Sequence, residues 1–285
     1  LLADISSATY VPSPAQGNGH LLFLRESALM AQPFDASALQ LVGDPFSVAA
    51  PVSFGQNAGW AAVSASATGM LVYLSGSSFD NQVAWYDRSG RELRKIGPPG
   101  PFAGLALSPD EKTVAIVHRL GGNSDLVLRD RVREVETRFT SVPLTNEYPV
   151  WSPDGSRIAF SPSRTGANDL YWKDARGTVQ EEALLRNGNA KYADDWSRDG
   201  KLLLYAEVDP KTQYDLWILP LDGDRKPVPF LRTEFNESQG QFSPDGRWVA
   251  YTSDESGQTE VYVRPFPGGE GKLRVSNDGG FYPRW

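Results

Sequence analysis

Trp151-Ser152-Pro153-Asp154-Gly155 returns 45 residues later as Trp196-Ser197-Arg198-Asp199-Gly200, and 46 residues after that as Phe242-Ser243-Pro244-Asp245-Gly246. A weaker copy, Leu107-Ser108-Pro109-Asp110-Glu111, precedes them, and a degenerate one stands at Ser66-Ala67-Thr68-Gly69. The aligned serines, at 66, 108, 152, 197 and 243, lie 42, 44, 45 and 46 residues apart. Self-similarity at this period marks an array of one supersecondary unit, because a single unit cannot bury its own apolar faces.

Each copy has the same interior. Behind the turn comes a short apolar run: Val114-Ala115-Ile116-Val117, Ile158-Ala159-Phe160, Leu202-Leu203-Leu204-Tyr205 or Trp248-Val249-Ala250-Tyr251. A polar loop then leads to an alternating strand opened by an acid, as in Asp125-Leu126-Val127-Leu128, Asp169-Leu170-Tyr171-Trp172, Asp215-Leu216-Trp217-Ile218 and Glu260-Val261-Tyr262-Val263. A last short strand follows, such as Pro229-Phe230-Leu231. No stretch sustains a period of 3.6, so helices are minor. Four short antiparallel strands per repeat specify an all-β fold, a β-propeller.

The turn has its own logic. Ser, Pro, Asp, Gly is the order a type I turn favours, with Gly where φ becomes positive. Glu111 stands where the other copies have Gly, which predicts a left-handed non-glycine residue at a cost of about 1–2 kcal/mol. Asp110, Asp154, Asp199 and Asp245 recur with the turn and read as turn-capping groups, not as catalytic pairs. Trp151, Trp196, Phe242 and Trp285 recur once per repeat and read as core between blades.

Repeats begin near residues 7, 60, 104, 148, 192 and 239, within a single domain spanning 1–285. In the two least regular ones, Leu21-Leu22-Phe23-Leu24 and Leu71-Val72-Tyr73-Leu74 serve as second strands. Phe281-Tyr282-Pro283-Arg284-Trp285 matches Glu147-Tyr148-Pro149-Val150-Trp151, so a partial repeat occupies 280–285. Leu1-Leu2-Ala3-Asp4 resembles an outer strand. The expectation is six blades of four strands, either a ring closed by a composite blade or a slice of a longer array.

Composition removes several classes of function. The net charge of −7 opposes a nucleic-acid binder, which needs a basic face. With no cysteine and only two histidines, thiolate zinc sites, cysteine nucleophiles and multi-histidine metal centres are out. No run approaches the roughly 20 apolar residues of a membrane span, so no membrane insertion by this segment is expected. There is no Gly-x-Ser-x-Gly elbow and no protein-kinase Gly-rich loop or Asp-Phe-Gly. The reading is a non-catalytic chain with no cofactor and no metal.

The Trp-Ser-Pro-Asp-Gly-x-x-Ile-Ala-Phe phrase followed by Asp169-Leu170-Tyr171 resembles the repeat of TolB-type, WD40-like propellers. Three longer phrases, Leu29-Met30-Ala31-Gln32-Pro33-Phe34-Asp35, Trp85-Tyr86-Asp87-Arg88-Ser89-Gly90 and the run from Thr233 to Gly246, resemble the C-terminal propeller regions of bacterial membrane-anchored serine/threonine protein kinases. That resemblance implies a sensor or interaction module outside the membrane, with an unknown protein, peptide or small ligand as partner. Similar propellers gate peptidase-type hydrolases, which leaves an accessory propeller as the alternative.

Residues just before the Trp or Phe anchors open the innermost strands and are the candidates to line a central tunnel. They are Glu147 and Tyr148; Tyr192, Asp194 and Asp195; Glu237, Gln239 and Gln241; Tyr282 and Arg284; and Trp60. A ring of carboxylates flanked by aromatics could hold a cation or a basic peptide; equally, Asp194 and Asp195 could cap loop amides or face water. Strand alternation allows at most one of Asp194 and Asp195 to point down the tunnel. Arg284 is the expected ion-pair partner of one, leaving the other for a cationic ligand.

Overall fold

The computed structural model describes residues 9–285 apart from 13–17, 26–27, 37, 39, 50–51, 53–62, 66–69, 76–80, 88, 121–122, 141–144 and 165. The expectations for Leu1–Asp4 (numbers 1–4), Trp60 and the degenerate turn at 66–69 fall outside the described residues. Six antiparallel sheets follow one another along the chain, and no helix occurs among the described residues. Blade one holds β1 (Thr9–Pro12), β2 (Asn18–Arg25), β3 (Ala28–Asp35), β4 (Gln40–Leu41) and β5 (Phe46–Ala49). Blade two holds β6 (Val63–Ala65), β7 (Leu71–Ser75), β8 (Asn81–Tyr86) and β9 (Glu92–Gly100). Blade three holds β10 (Phe102–Leu107), β11 (Thr113–Leu120), β12 (Asn123–Asp130) and β13 (Glu136–Arg138). Blade four holds β14 (Asn146–Trp151), β15 (Arg157–Pro162), β16 (Leu170–Asp174) and β17 (Glu182–Leu185). Blade five holds β18 (Lys191–Trp196), β19 (Leu202–Asp209), β20 (Gln213–Pro220) and β21 (Val228–Leu231). Blade six holds β22 (Glu237–Phe242), β23 (Trp248–Ser253), β24 (Glu260–Pro265) and β25 (Leu273–Arg274). The ring is therefore the expected six-bladed propeller. In blade one the fourth strand is split, β4 and β5 both pairing with β3.

The repeated turn works through its serine. Gly155, Gly200 and Gly246 donate their N–H to the carbonyls of Ser152, Ser197 and Ser243 at 2.8–2.9 Å, and each glycine has positive φ. Glu111 does the same to Ser108 with φ of 59°, as the sequence predicted. Each buried serine hydroxyl donates to the turn aspartate at 2.6–2.7 Å and accepts the N–H five residues on at 2.9 Å. These bonds hold Asp154 and Asp199 below the usual carboxylate range, the serine hydroxyl being the largest cause. The aspartates are structural, and the serine is their anchor.

The core lies between blades. Val72, Trp85, Phe102 and Ile116 join blades two and three. Ala115, Leu126, Ile158 and Phe160 join three and four, and Trp172, Trp196, Leu203 and Tyr205 join four and five. Leu204, Leu216, Phe242 and Tyr251 join five and six. Blades one and two share a similar cluster. Between six and one the apolar faces form two separate clusters, Ala250, Val261, Val263 and Val275 on one side and Leu21, Phe23 and Phe34 on the other. Segment 281–285 bridges them. The Tyr10 N–H donates to the Arg284 carbonyl, and the Tyr10 ring meets Trp285 edge-on at 6.3 Å.

Candidate functional site

The inner strands do not alternate regularly. In β10, β14, β18 and β22 the register against the second strand slips by one residue, each time two to four positions before the anchor. Such a bulge adds one residue and re-aims the side chains around it. Tyr148, Gln239 and Tyr282 occupy the same repeat slot with φ of 57°, 58° and 49°. Pro149, Gly240 and Pro283 follow them, residue types that strands tolerate at irregularities.

Around the ring axis these strands enclose two chambers. The one on the side of the Ser-Pro-Asp-Gly turns has a volume of about 270 Å³, with Ser64, Ala106, Val150, Asp195, Gln241 and Arg284 in its wall. The other, of about 150 Å³, is walled by Gly104, Arg119, Glu147, Tyr148, Gln239 and Tyr282. Leu105, Pro149, Val150, Asp194 and Arg284 line both and form the waist of one tunnel.

The structure thus brings Glu147, Tyr148, Asp194, Asp195, Gln239, Gln241, Tyr282 and Arg284 together. Tyr192 stands behind this wall, its ring 5.0 Å from Tyr148 and 5.9 Å from Tyr214. Glu237 lies elsewhere. It is 1% exposed, it accepts the Thr233 hydroxyl, and burial raises its carboxyl to about 7. The reason is parity. Glu237 sits five positions before its anchor, as do Asn146 and Lys191, and all three are buried. At the second mouth Glu147 pairs with Arg119 at 3.6 Å.

Two expectations at the waist are corrected. Asp194 and Asp195 do not diverge to opposite sides of the strand. Because the bulge falls between Ala193 and Asp195, both reach β22: Asp194 accepts the Gly240 N–H at 3.1 Å and Asp195 accepts the Phe242 N–H at 2.8 Å. Gln241 returns a bond, its side-chain amide donating to the Asp194 carbonyl at 2.7 Å. Nor does Arg284 form the expected ion pair: among the described residues no carboxylate lies within 4.0 Å of its guanidinium. The three charges still feel one another. Burial pushes Asp194 up to about 8, with the Gly240 amide and Arg284 pulling it down and Asp195 adding to the rise. Burial pushes Asp195 up to about 6 against the Phe242 amide and Arg284. Burial lowers Arg284, opposed by Asp195 and Asp194. At the second mouth burial raises Tyr282 to about 12.

Among the described residues no group of three or more His, Asp or Glu is placed to hold a metal ion. The sequence reading missed the bulge, whose signal was the Pro or Gly after Tyr148, Gln239 and Tyr282.

No protein-family model matches the chain. An uncharacterised protein of Agrobacterium fabrum is 24% identical over 199 residues, covering 66% of this chain and 63% of that protein. The Tol-Pal system protein TolB of Bordetella pertussis is 28% identical over 161 residues, covering 55% of this chain and 35% of TolB. The chain therefore spans under two thirds of the length of these relatives. The crystal structure of TolB from Acinetobacter baumannii superposes with a TM-score of 0.65 at 18% identity, over 97% of this chain and 66% of that one. A prolyl endopeptidase structure superposes with a TM-score of 0.62 at 13% identity, over 96% of this chain and 43% of that one. The likeness is one of fold: a TolB-like propeller.

Proposed function

We propose that the chain is a non-catalytic binding propeller whose tunnel admits a segment of a protein or peptide partner. The observation that carries this reading is the waist, where polar groups from β18 and the terminal segment converge on a channel that continues into both chambers. The kinase-like phrases support a finer placement, as the extracytoplasmic sensor region of a membrane-anchored receptor-like serine/threonine kinase. The likeness to prolyl endopeptidase propellers favours a second reading, an accessory propeller that gates a hydrolase domain. The flanking gene sequence separates the two, since one requires a kinase domain and membrane helix and the other a hydrolase domain.

The binding surface is tested directly. A photo-crosslinking residue at Gln239 is expected to capture a partner from the native host, and Leu105→Trp, which fills the waist, is expected to abolish capture. Capture from exposed Val228 on β21 that persists in the Leu105→Trp variant, with none from position 239, would move the binding surface to the outer strands.

A further inference from the structure

The charge of the waist was expected to suit a cation. The hydrogen bonds point the other way. Each aspartate already has an oxygen committed to a backbone N–H of β22. The Arg284 guanidinium carries five N–H donors in a planar fork, and no described residue accepts from any of them. Its backbone is fixed, since its carbonyl holds Tyr10. The residue is thus a positioned donor lacking an acceptor, in a wall shared by both chambers.

We infer that the tunnel captures a carboxylate of its partner and that Arg284 grips it at the waist. This rests on the tunnel being the binding surface. A chain terminus or an acidic side chain fits the space, because a chamber of about 270 Å³ lies below the roughly 300–1,000 Å³ typical of drug-sized ligands. The other charges facing the site are Asp194, Asp195 and Arg198 on the turn side, and Arg119 and Glu147 on the other. Arg198 adds a second positive charge, and Arg119 and Glu147 offset each other. Burial keeps the proton on Asp194 at neutral pH, and Asp195, raised only to about 6, is the acid that opposes a carboxylate there, with Arg198 and Arg284 offsetting it. A cationic ligand would instead have to stand beside Arg284, with only the second oxygens of Asp194 and Asp195 to accept from it.

The test uses the 285-residue chain and four N-acetylated peptides of equal length: alanine-rich with a free C-terminal carboxylate, the same peptide amidated, an amidated form with a central Glu, and one with a central Lys. Binding is followed by calorimetry and by tryptophan fluorescence, since Trp151, Trp196 and Trp285 line the turn-side chamber. One of the two acidic peptides is expected to bind about 10- to 100-fold more tightly than the amidated and Lys peptides, as a charge-assisted pair would give. Which one binds identifies the source as chain end or side chain. Arg284→Gln is expected to erase the preference, and Arg284→Lys to weaken it by losing the planar fork. If Arg284→Gln fails to fold, the Lys variant carries the test. Equal binding of acidic and Lys peptides, or a preference unchanged in both variants, overturns carboxylate capture while the tunnel reading stands on its crosslink. No binding of any peptide to the unsubstituted chain also overturns it.

Discussion

Between blades five and six, Leu204, Leu216, Phe242 and Tyr251 form one continuous core, and Asp194, Asp195 and Gln241 tie the inner strands together across it. Between blades six and one the apolar faces remain two clusters, joined among the described residues by a backbone bond from Tyr10 and the edge of Trp285. The same repeat thus builds a dense boundary and a sparse one. A groove lined by Leu21, Phe34, Val261, Val275 and Trp285 runs along the sparse boundary. Among the described residues the sparse boundary is where the two ends of the ring meet, and the charged waist spans both kinds, with Asp194 on the dense side and Arg284 in the segment that bridges the sparse one.

The largest effect expected from this contrast is that of Leu204→Ala. The side chain is fully buried in the dense boundary, so its loss costs about 2–5 kcal/mol. Leu21→Ala, in the already grooved boundary, is expected to fall at the low end of that range in denaturant melts. Equal costs would erase the contrast.

Gly240→Ala comes next. A Cβ there would meet the Leu204 side chain at 2.5 Å and that of Leu216 at 3.3 Å. Overpacking of this kind costs about 1–3 kcal/mol. A melting temperature matching that of the unsubstituted chain would mean that the inner strand of blade six can move away from blade five.

Asp194→Asn sharpens the comparison through pH. Burial raises the carboxyl from 3.8 to about 8 in the fold, so the folded chain holds its proton longer than the unfolded one. Below the unfolded value the group makes no difference. As pH rises from about 4 to about 8 the unfolded state ionises first, and stability falls; above that window the loss is constant. Asn keeps the acceptor for Gly240 and lacks this slope. The variant should gain on the native chain by about 1 kcal/mol between pH 4 and pH 9, allowing for water in the channel. A pH-independent difference would mean that Asp194 ionises in the fold as easily as outside it.

Tyr10→Leu is expected to have the smallest effect. It removes the edge-on contacts with Trp285 and Phe34, worth about 0.5–1.5 kcal/mol beyond area burial, and keeps the backbone bond. Hydrogen exchange should then speed up in blade one before blade five. Uniform acceleration around the ring would show that the boundary does not open by itself.

The serine spacing made the ring legible, and the turn chemistry made Glu111 legible, because both depend on residues close in sequence. Segments 281–285 and 147–151 could be aligned for the same reason. What strand alternation concealed was the bulge, which lets Asp194 and Asp195 serve the same neighbour. β18 itself carries no Pro or Gly, and the mark stood only in the corresponding segments of other repeats, at Pro149, Gly240 and Pro283. Glu237 was misplaced by one step of parity, a difference that separates the tunnel wall from the blade interior. The missing ion pair of Arg284 had no signature in the sequence, since it depends on a distance measured across the ring.

The left-handed slot shared by Tyr148, Gln239 and Tyr282 bears on how such a chain diversifies. A duplicated repeat inherits this slot along with its turn, its anchor and its packing faces. Mutation at that one position alters what the channel presents together with the contacts the slot makes to its neighbours, Gln239 accepting the Tyr282 N–H and Tyr148 meeting the Tyr192 ring. On the proposed reading of the channel as a binding surface, copying the repeat multiplies variable contact points, and what the channel admits can change while the architecture that holds it stays.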